Sequence, residues 1–316
     1  MGNSYSATTL KVAHIYAPTS QVSLAVDKFA EIVKEKSGGE IIINNYPGSQ
    51  LGTAQEYLAS MKMGTIDLTY GSITIFGWVS AGEALQIASL PYIFNSAEEG
   101  KVIFESELFK DIYDKLEREG GIKIFKIGGE RSPRGLNTKN TPVWNPEDIK
   151  GMNIRVSTNE MLIELFKAWG ANPIPLAFNE LFLALQQNVV SGQDNGVDFI
   201  LPSSFNEVTK YYAQTDHVID ILAWGVSTRT WEKLSQEEKN ILSEAAEEAS
   251  EWEIDYFRSM IDEEVGKLIQ LGMKFTIPNK QAFKEMSKDV YKKFEGKYWP
   301  EGLVEKIRKM QEQMQE

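Results

Sequence analysis

The amino-acid sequence predicts an α/β protein of about two domains. Apolar strands alternate with amphipathic helices in both halves of the chain, the pattern of sheets with helices on their faces. The 316 residues exceed what one hydrophobic core usually supports, and 42% apolar with 11% aromatic residues favour a folded globule. A long helical stretch after residue 235 exceeds the needs of a single small domain.

The first half of the chain contains strands at 10–16, 40–46, 66–70 and 122–127. Between the first two strands, apolar residues recur at helical spacing over 20–36, and the pattern stops at Gly38-Gly39. Thr53 with Glu56, and Ser96 with Glu99, have the capping-box form, in which a hydroxyl and a carboxylate each satisfy an orphan amide. We therefore expect helices to begin at Thr53 and Ser96.

The second half repeats this alternation. The elements that we predict are a strand at 154–156, a helix at 159–169 ended by Gly170, a helix at 179–188 capped by Asn179, and an extended crossing segment at 218–228. Ser235 and Glu238 then open a helical stretch without glycine until Gly266. At 1.5 Å per residue this helix would exceed about 40 Å, so we expect it to run along both lobes.

Composition excludes several functions. The formal charge of −12 disfavours nucleic acid and anionic membranes as partners, because both require clustered Lys and Arg. The absence of cysteine excludes thiolate catalysis, cysteine-based zinc sites and disulfides, and two histidines cannot build a histidine metal cluster. We predict that the protein has no cofactor, since no phosphate-binding or dinucleotide motif occurs. We also predict that it is not an enzyme, although a carboxylate-dependent hydrolase remains an alternative because the chain has 45 acidic residues.

One arginine, Arg155, lies in a short apolar strand with Ile154 and Val156, after a Lys150-Gly151 turn. Such a strand is normally buried, so its arginine should have an anionic partner. A guanidinium can meet a carboxylate through two parallel hydrogen bonds, which an ammonium cannot do. The alternatives are a ligand carboxylate or a structural salt bridge.

Several blocks in order carry a resemblance to a known family: Tyr46-Pro-Gly-Ser-Gln-Leu-Gly52, Gly64-Thr-Ile-Asp67, Leu90-Pro-Tyr-Ile-Phe94, 151–156, 175–187 and 192–195. The chain resembles the extracytoplasmic solute-binding subunits of tripartite ATP-independent periplasmic (TRAP) transporters. The resemblance implies a two-lobed class II periplasmic-binding-protein fold with mixed β-sheets and a long helix spanning both lobes. It implies no catalysis and no cofactor. It implies capture of a small organic acid and delivery to a TRAP membrane permease.

The resemblance also implies roles for individual residues. Arg155 would grip the ligand carboxylate, with Arg134 as a second arginine and Arg131 as the alternative to it. Asn195 would bind a carboxylate or hydroxyl of the ligand, and Phe178 would face the ligand. The alternatives are a surface salt bridge for Arg134, a helix cap for Asn195 and a hydrophobic staple for Phe178.

Five further candidates follow with weaker support. Trp78 and Trp224 stand beside glycines that let a ligand approach, and sugar rings stack on such faces; the alternative is core packing. His14 would point into the cleft by family analogy, or be a structural histidine. Ser72 and Thr74 fall where sialic-acid-binding members carry charged contacts, and their neutrality argues against sialic acid.

The predicted ligand is a sugar acid such as a uronate or aldonate, and the alternative ligand is a C4-dicarboxylate or 2-oxo acid. A sensor domain is an alternative function. The predicted lobes are 1–130 plus about 222–260, and about 131–221 plus 261–316, with hinge strands near 128–136 and 215–225. The polar start Gly2-Asn-Ser-Tyr-Ser is typical of a segment following a lipidated cysteine or a periplasmic cleavage site. We expect an extracytoplasmic protein, held by a lipid anchor or free in the periplasm.

Overall fold

The chain forms two mixed β-sheets flanked by helices, and a computed structural model describes its residues 7–314. The elements up to the first crossing are β1 Thr8–Ala13, α1 Gln21–Lys36, β2 Ile41–Tyr46, α2 Ala54–Met63, β3 Leu68–Ser72, α3 Ala97–Phe104, α4 Lys110–Lys115 and β4 Ile122–Ile127. The later elements are β5 Arg134–Thr138, β6 Asn153–Val156, α5 Glu160–Ala168, β7 Asn172–Pro175, α6 Leu181–Gln186, β8 Gly192–Asn195, β9 Tyr211–Val218, β10 Leu222–Ser227, α7 Thr228–Lys233, α8 Gln236–Gln270, β11 Lys274–Thr276, α9 Lys280–Ser287 and α10 Leu303–Met314.

The first sheet has the strand order β2-β1-β3-β10-β4, and the second has the order β11-β9-β5-β8-β6-β7. In the first sheet β1 pairs with β2 and β3 in parallel, while β10 is antiparallel to both of its neighbours. In the second sheet β5 is antiparallel to β8 and β9, and the remaining pairs are parallel. The predicted mixed α/β class is confirmed.

Helix α8 connects the two sheets, as its length predicted. Its 35 residues extend for about 52 Å at 1.5 Å per residue. Near its start, Ala245 and Ala249 pack with α1 and the first sheet, where small side chains allow the helices to approach closely. Near its end, Leu268 packs into a core cluster of the second sheet. The predicted capping box is present, because Ser235 Oγ accepts from the Glu238 amide and the Glu238 carboxylate accepts from the Ser235 amide.

The chain crosses between the sheets at 128–133, at 219–221 and through α8, which agrees with the predicted hinge strands. The C-terminal segment differs from the predicted lobe division. Trp299, Leu303 and Ile307 are buried in the core cluster of the first sheet, although the sequence analysis assigned 261–316 to the second lobe. The lobe boundaries remain a prediction, and this packing favours moving the last 25 or so residues to the first lobe.

Local predictions were met with small corrections. The capping box of Thr53 is complete, whereas the Glu99 carboxylate accepts from the backbone of Asn95 rather than from that of Ser96. The predicted cap Asn179 is wrong: α6 is preceded by a 3₁₀ turn in which the Glu180 carboxylate accepts from the Ala177 amide.

Residues 7–314 include no helix that is long and apolar enough to cross a membrane. The expectation of a lipid anchor concerns Gly2–Ser6, which lie outside the described residues.

Candidate ligand-binding site

A cleft of about 730 Å³, including its mouth, lies between the two sheets. One wall comes from the first sheet and its loops, and the other from the ends of β6 and β8 and the loop before α6. Seven of the nine residues predicted for the site line this cleft: Arg155, Arg134, Asn195, Phe178, Trp78, Ser72 and Thr74. Arg131, the alternative second arginine, lines it as well.

Arg155 is a buried cation whose guanidinium is only partly paired. It is 2% exposed and lies on β6, an inner strand between β7 and β8. Its Nε and Nη2 donate to the Leu176 carbonyl at 3.0 and 2.8 Å. No carboxylate of residues 7–314 lies within 4.0 Å of its nitrogens, and the edge formed by Nη1 and Nη2 remains for a second partner. Burial lowers the pKa of Arg155 to about 10, so it stays charged at neutral pH.

Phe178 supports that guanidinium. The Arg155 Cζ lies 5.8 Å from the centre of the Phe178 ring, close enough for a cation–π contact. Phe178 in turn packs edge-on against Phe199, with ring centres 5.2 Å apart. A half-buried Phe178 therefore serves both as a wall of the cleft and as a platform for Arg155.

The other two arginines are already held by aspartates. Arg134 donates from Nε to Asp194 at 2.8 Å and from Nη1 to Asp220 at 3.4 Å. Arg131 donates from Nε to Asp198 at 3.0 Å and from Nη1 to Asp220 at 2.8 Å. The Arg131 Nη2 is buried without a hydrogen-bond partner among the described residues. The unused donor next to the cleft therefore belongs to Arg131 rather than to Arg134.

Asp194 remains ionised despite complete burial. Burial raises its pKa, but Arg134 and the His217 side chain more than offset this, so that its pKa lies well below the usual range. The His217 ring packs against Trp169 and hydrogen-bonds with Thr215 through Nδ1. This network fixes Arg134 in place, which makes it a rigid part of the cleft wall.

The remaining polar groups of the cleft are neutral. Ser72 donates to Asp220 at 2.9 Å, and Thr74 hydrogen-bonds with Ser89 at 3.2 Å. Asn195 donates to Gln193 at 2.8 Å. The Trp78 Nε1 is buried without a partner among the described residues, so its N–H is a candidate donor for a bound molecule.

Direct hydrogen bonds join the two lobes beside the cleft. Asn159, at the start of α5, donates to Ser89 at 2.9 Å, and both side chains are buried. Gln55, on α2, donates to Thr158 at 3.1 Å at an exposed position. The lobes are thus in contact around the cleft in this structure.

Two predicted site residues lie elsewhere. Trp224 is fully buried between Phe29 and Tyr70, with the Tyr70 ring stacked at 4.1 Å, and its Nε1 donates to Ser250 at 3.0 Å. His14 is buried outside the lining of the cleft, where it bonds Asn45 at 2.9 Å and burial lowers its pKa to about 4. Both are structural side chains, so their assignment to the ligand site was wrong.

Asp220, Tyr16 and Gln55 also line the cleft, and none of them was predicted from the sequence. Asp220 lies in the crossing at 219–221, a position predicted as hinge. Three buried arginines in an acidic chain were a signal that carboxylates must lie near them, but the sequence does not show which carboxylates.

The fold and this cleft define a two-lobed receptor for a small solute. Residues 12–297 match the family of bacterial extracellular solute-binding proteins, family 7. The chain is 30% identical over 293 residues to the sialic acid-binding periplasmic protein of Vibrio cholerae, covering 92% of this chain and 89% of that protein. It belongs to family 7, the solute-binding proteins of TRAP transporters.

Solved structures agree. A TRAP periplasmic solute-binding protein of Roseobacter denitrificans with bound L-galactonate has a TM-score of 0.87 and 28% identity, covering 96% of this chain and 99% of that one. Another, from Actinobacillus succinogenes and also with bound L-galactonate, has a TM-score of 0.91 and 26% identity, covering 97% and 100%. These relatives are binding proteins that capture small solutes, and the family is extracytoplasmic.

Proposed function

We propose that this protein captures a sugar acid with one carboxylate, such as an aldonate or uronate, outside the cytoplasmic membrane. The observation that carries the proposal is Arg155, a buried guanidinium with a free edge and no carboxylate partner among the described residues. A buried unpaired charge is costly, so the site is poised for an anion that supplies the missing partner.

The rest of the cleft favours a polyhydroxylated molecule. Thr74, Asn195 and the free Trp78 N–H offer neutral hydrogen bonds, and the Trp78 and Phe178 rings offer apolar faces. The bound L-galactonate in two related structures supports the same ligand class. A C4-dicarboxylate or a 2-oxo acid is the second candidate, because the same arginine edge would bind its carboxylate.

The protein partner in this proposal is a membrane permease of the TRAP type, which would receive the ligand from the closed receptor. The proposal includes neither catalysis nor a cofactor, because the relatives of this chain are solute-binding proteins. Lobe closure would exclude water and strengthen the hydrogen bonds to the ligand.

A thermal-shift screen against aldonates, uronates, C4-dicarboxylates and 2-oxo acids, followed by calorimetry, tests the proposal. We expect the largest stabilisation from a sugar acid and none from the corresponding neutral sugar. Stabilisation by C4-dicarboxylates alone would favour the second candidate. No stabilisation by any acid would contradict the proposed ligand class.

A further inference from the structure

Asp220 is the one acidic residue among the described residues that line the cleft. It lies in the crossing at 219–221, between β9 of the second sheet and β10 of the first. The side chain is 3% exposed, and both of its oxygens are engaged. Oδ1 accepts from Ser72 at 2.9 Å, and Oδ2 accepts from Arg131 at 2.8 Å and Arg134 at 3.4 Å.

These contacts determine which of the arginines at the cleft keep an unbalanced positive charge. Arg131 and Arg134 carry two formal positive charges and are paired with three aspartates, Asp194, Asp198 and Asp220. The two arginines are therefore more than neutralised before any ligand arrives. Arg155 is the arginine of this group without a carboxylate within 4.0 Å in residues 7–314.

A ligand with one carboxylate can pair with Arg155. A second carboxylate would meet one unused donor, the Nη2 of Arg131, but the charge of that arginine is already balanced by Asp198 and Asp220. The carboxylate would also face the charge of Asp220. Like charges in a poorly solvated site repel strongly, because the effective dielectric constant is far below that of water. The other polar lining groups, such as Ser157 and Thr158, are neutral and cannot compensate that charge.

We infer that Asp220 determines the charge of the ligand that the cleft accepts. Because it pairs with Arg131 and Arg134 and faces the cleft, the cleft admits acids with one carboxylate and rejects those with two. The inference rests on the proposed function and adds a specificity-determining residue to it. It also separates a sugar acid with one carboxylate from a C4-dicarboxylate. An aldonate and the aldarate with the same carbon chain differ only in the group at the far end, so this pair of ligands isolates the effect of the second carboxylate.

The test compares a hexonate with the hexarate of the same configuration and with the monoamide of that hexarate, in calorimetry with the whole protein. In the wild type we expect the hexarate to bind at least tenfold more weakly than its monoamide, since the amide removes the second charge at nearly constant size. In Asp220→Asn this ratio should fall at least tenfold, while the hexonate is still bound. Asp216→Asn is the matched control, because Asp216 pairs with Lys280 and does not line the cleft; it should retain the wild-type preference.

The outcomes separate this inference from the proposed function. A hexonate that binds, together with a hexarate bound as tightly as its monoamide, overturns the role of Asp220 and leaves the proposed ligand class standing. The same holds if folded Asp220→Asn keeps the full discrimination. If no sugar acid binds the wild type, the proposed function and this inference both fail. If Asp220→Asn does not fold, as judged by circular dichroism, the wild-type comparison of hexarate and monoamide decides alone.

Discussion

Arginine is used in two ways within one cleft. Arg131 and Arg134 are paired with buried aspartates, and their contacts hold the hinge segments together. Arg155 is instead held by a main-chain carbonyl, which orients the guanidinium without neutralising it. A carbonyl partner leaves the charge available, so the orientation is set before the ligand arrives and less entropy is lost on binding.

We expect Arg155→Lys to weaken sugar-acid binding by roughly ten- to a hundredfold, although the charge is kept. One ammonium cannot reproduce both the contact with Leu176 and a two-point contact with a carboxylate, a loss of about 1.5 to 3 kcal/mol. Calorimetry measures the change, and Arg118→Lys, at an exposed site, is the matched control. An unchanged dissociation constant in the Arg155 variant would remove this residue from the site.

The two tryptophans predicted for the site should respond in opposite ways to replacement by phenylalanine. Trp78→Phe removes an indole N–H at the cleft, so we expect several-fold weaker binding with little change in melting temperature. Trp224→Phe should leave the affinity unchanged but destabilise the fold by about 1 to 3 kcal/mol, because the bond to Ser250 is lost and a space remains in the core. Chemical denaturation and calorimetry on both variants distinguish these outcomes, and weaker binding in Trp224→Phe alone would contradict the assignment.

These residues show what local sequence can predict. Arg155 was found because an arginine among apolar strand residues must be buried and must need a partner. Trp224 was wrongly assigned to the ligand site because its neighbour Gly225 was interpreted as leaving room for a ligand. In the structure Gly225 packs against Phe76, and a Cβ at Gly225 would lie 2.5 Å from the Phe76 ring. Asp220 was missed because its importance depends on two hinge segments that meet only in the folded protein.

At the scale of elements, helix α8 carries an unusual group where it passes the first hinge segment. Glu253 is fully buried on α8, and its Oε2 accepts from the Glu130 amide at 2.8 Å. Its Oε1 has no partner among the described residues. Burial, with a smaller contribution from Asp198, raises the pKa of Glu253 to about 8 against the opposing effects of the Glu130 amide and Arg131.

This shift predicts a pH-dependent contribution to stability. Between the ordinary pKa of 4.5 and about 8, the unfolded chain releases the Glu253 proton while the folded chain keeps it, so the free energy of unfolding falls as pH rises. Glu253→Gln keeps an acceptor for the Glu130 amide and cannot ionise. We expect its melting temperature to exceed that of the wild type by a few degrees at pH 8.5 and by little at pH 5.

Glu263→Gln, at an exposed position of the same helix, is the matched control for that measurement. Thermal melting of both variants across pH 5 to 8.5 gives the difference directly. A constant difference between Glu253→Gln and the wild type over this range would show that Glu253 ionises normally in the folded protein.

The boundaries of the elements were predictable where a local signal exists. Side-chain caps and hydrophobic periodicity placed α1, α2 and α8 within a residue or so of their starts. The C-terminal segment carried no such signal for its partner. Its apolar side chains pack on the first sheet, whereas sequence order alone placed them with the second.

At the scale of the whole molecule, the chain crosses between the two sheets at 128–133, at 219–221 and through α8, and its C-terminal segment returns to the first sheet. The buried side chains of Met161 and Phe199 also pack in core clusters of the first sheet. The Gln55–Thr158 and Asn159–Ser89 bonds join the walls of the cleft. Such hydrogen bonds contribute about 0.5 to 1.5 kcal/mol each, a small gain against the conformational freedom that closure removes. A ligand that touches both walls would add the missing stabilisation, since it binds the closed state more tightly than the open one.

We therefore expect the ligand-free protein in solution to be more open than its complex. Small-angle X-ray scattering should give a smaller radius of gyration once a sugar acid identified by the thermal-shift screen saturates the cleft. The control is Arg155→Lys at the same ligand concentration, which is chosen to lie below the dissociation constant of this variant. The variant should keep the larger radius of gyration, and this separates ligand-driven closure from a general effect of the solute. Equal radii for the wild type with and without bound ligand would contradict ligand-driven closure. In that case the contacts between the walls would have to hold the lobes together on their own, and removing them with Gln55→Ala and Asn159→Ala should then enlarge the free protein.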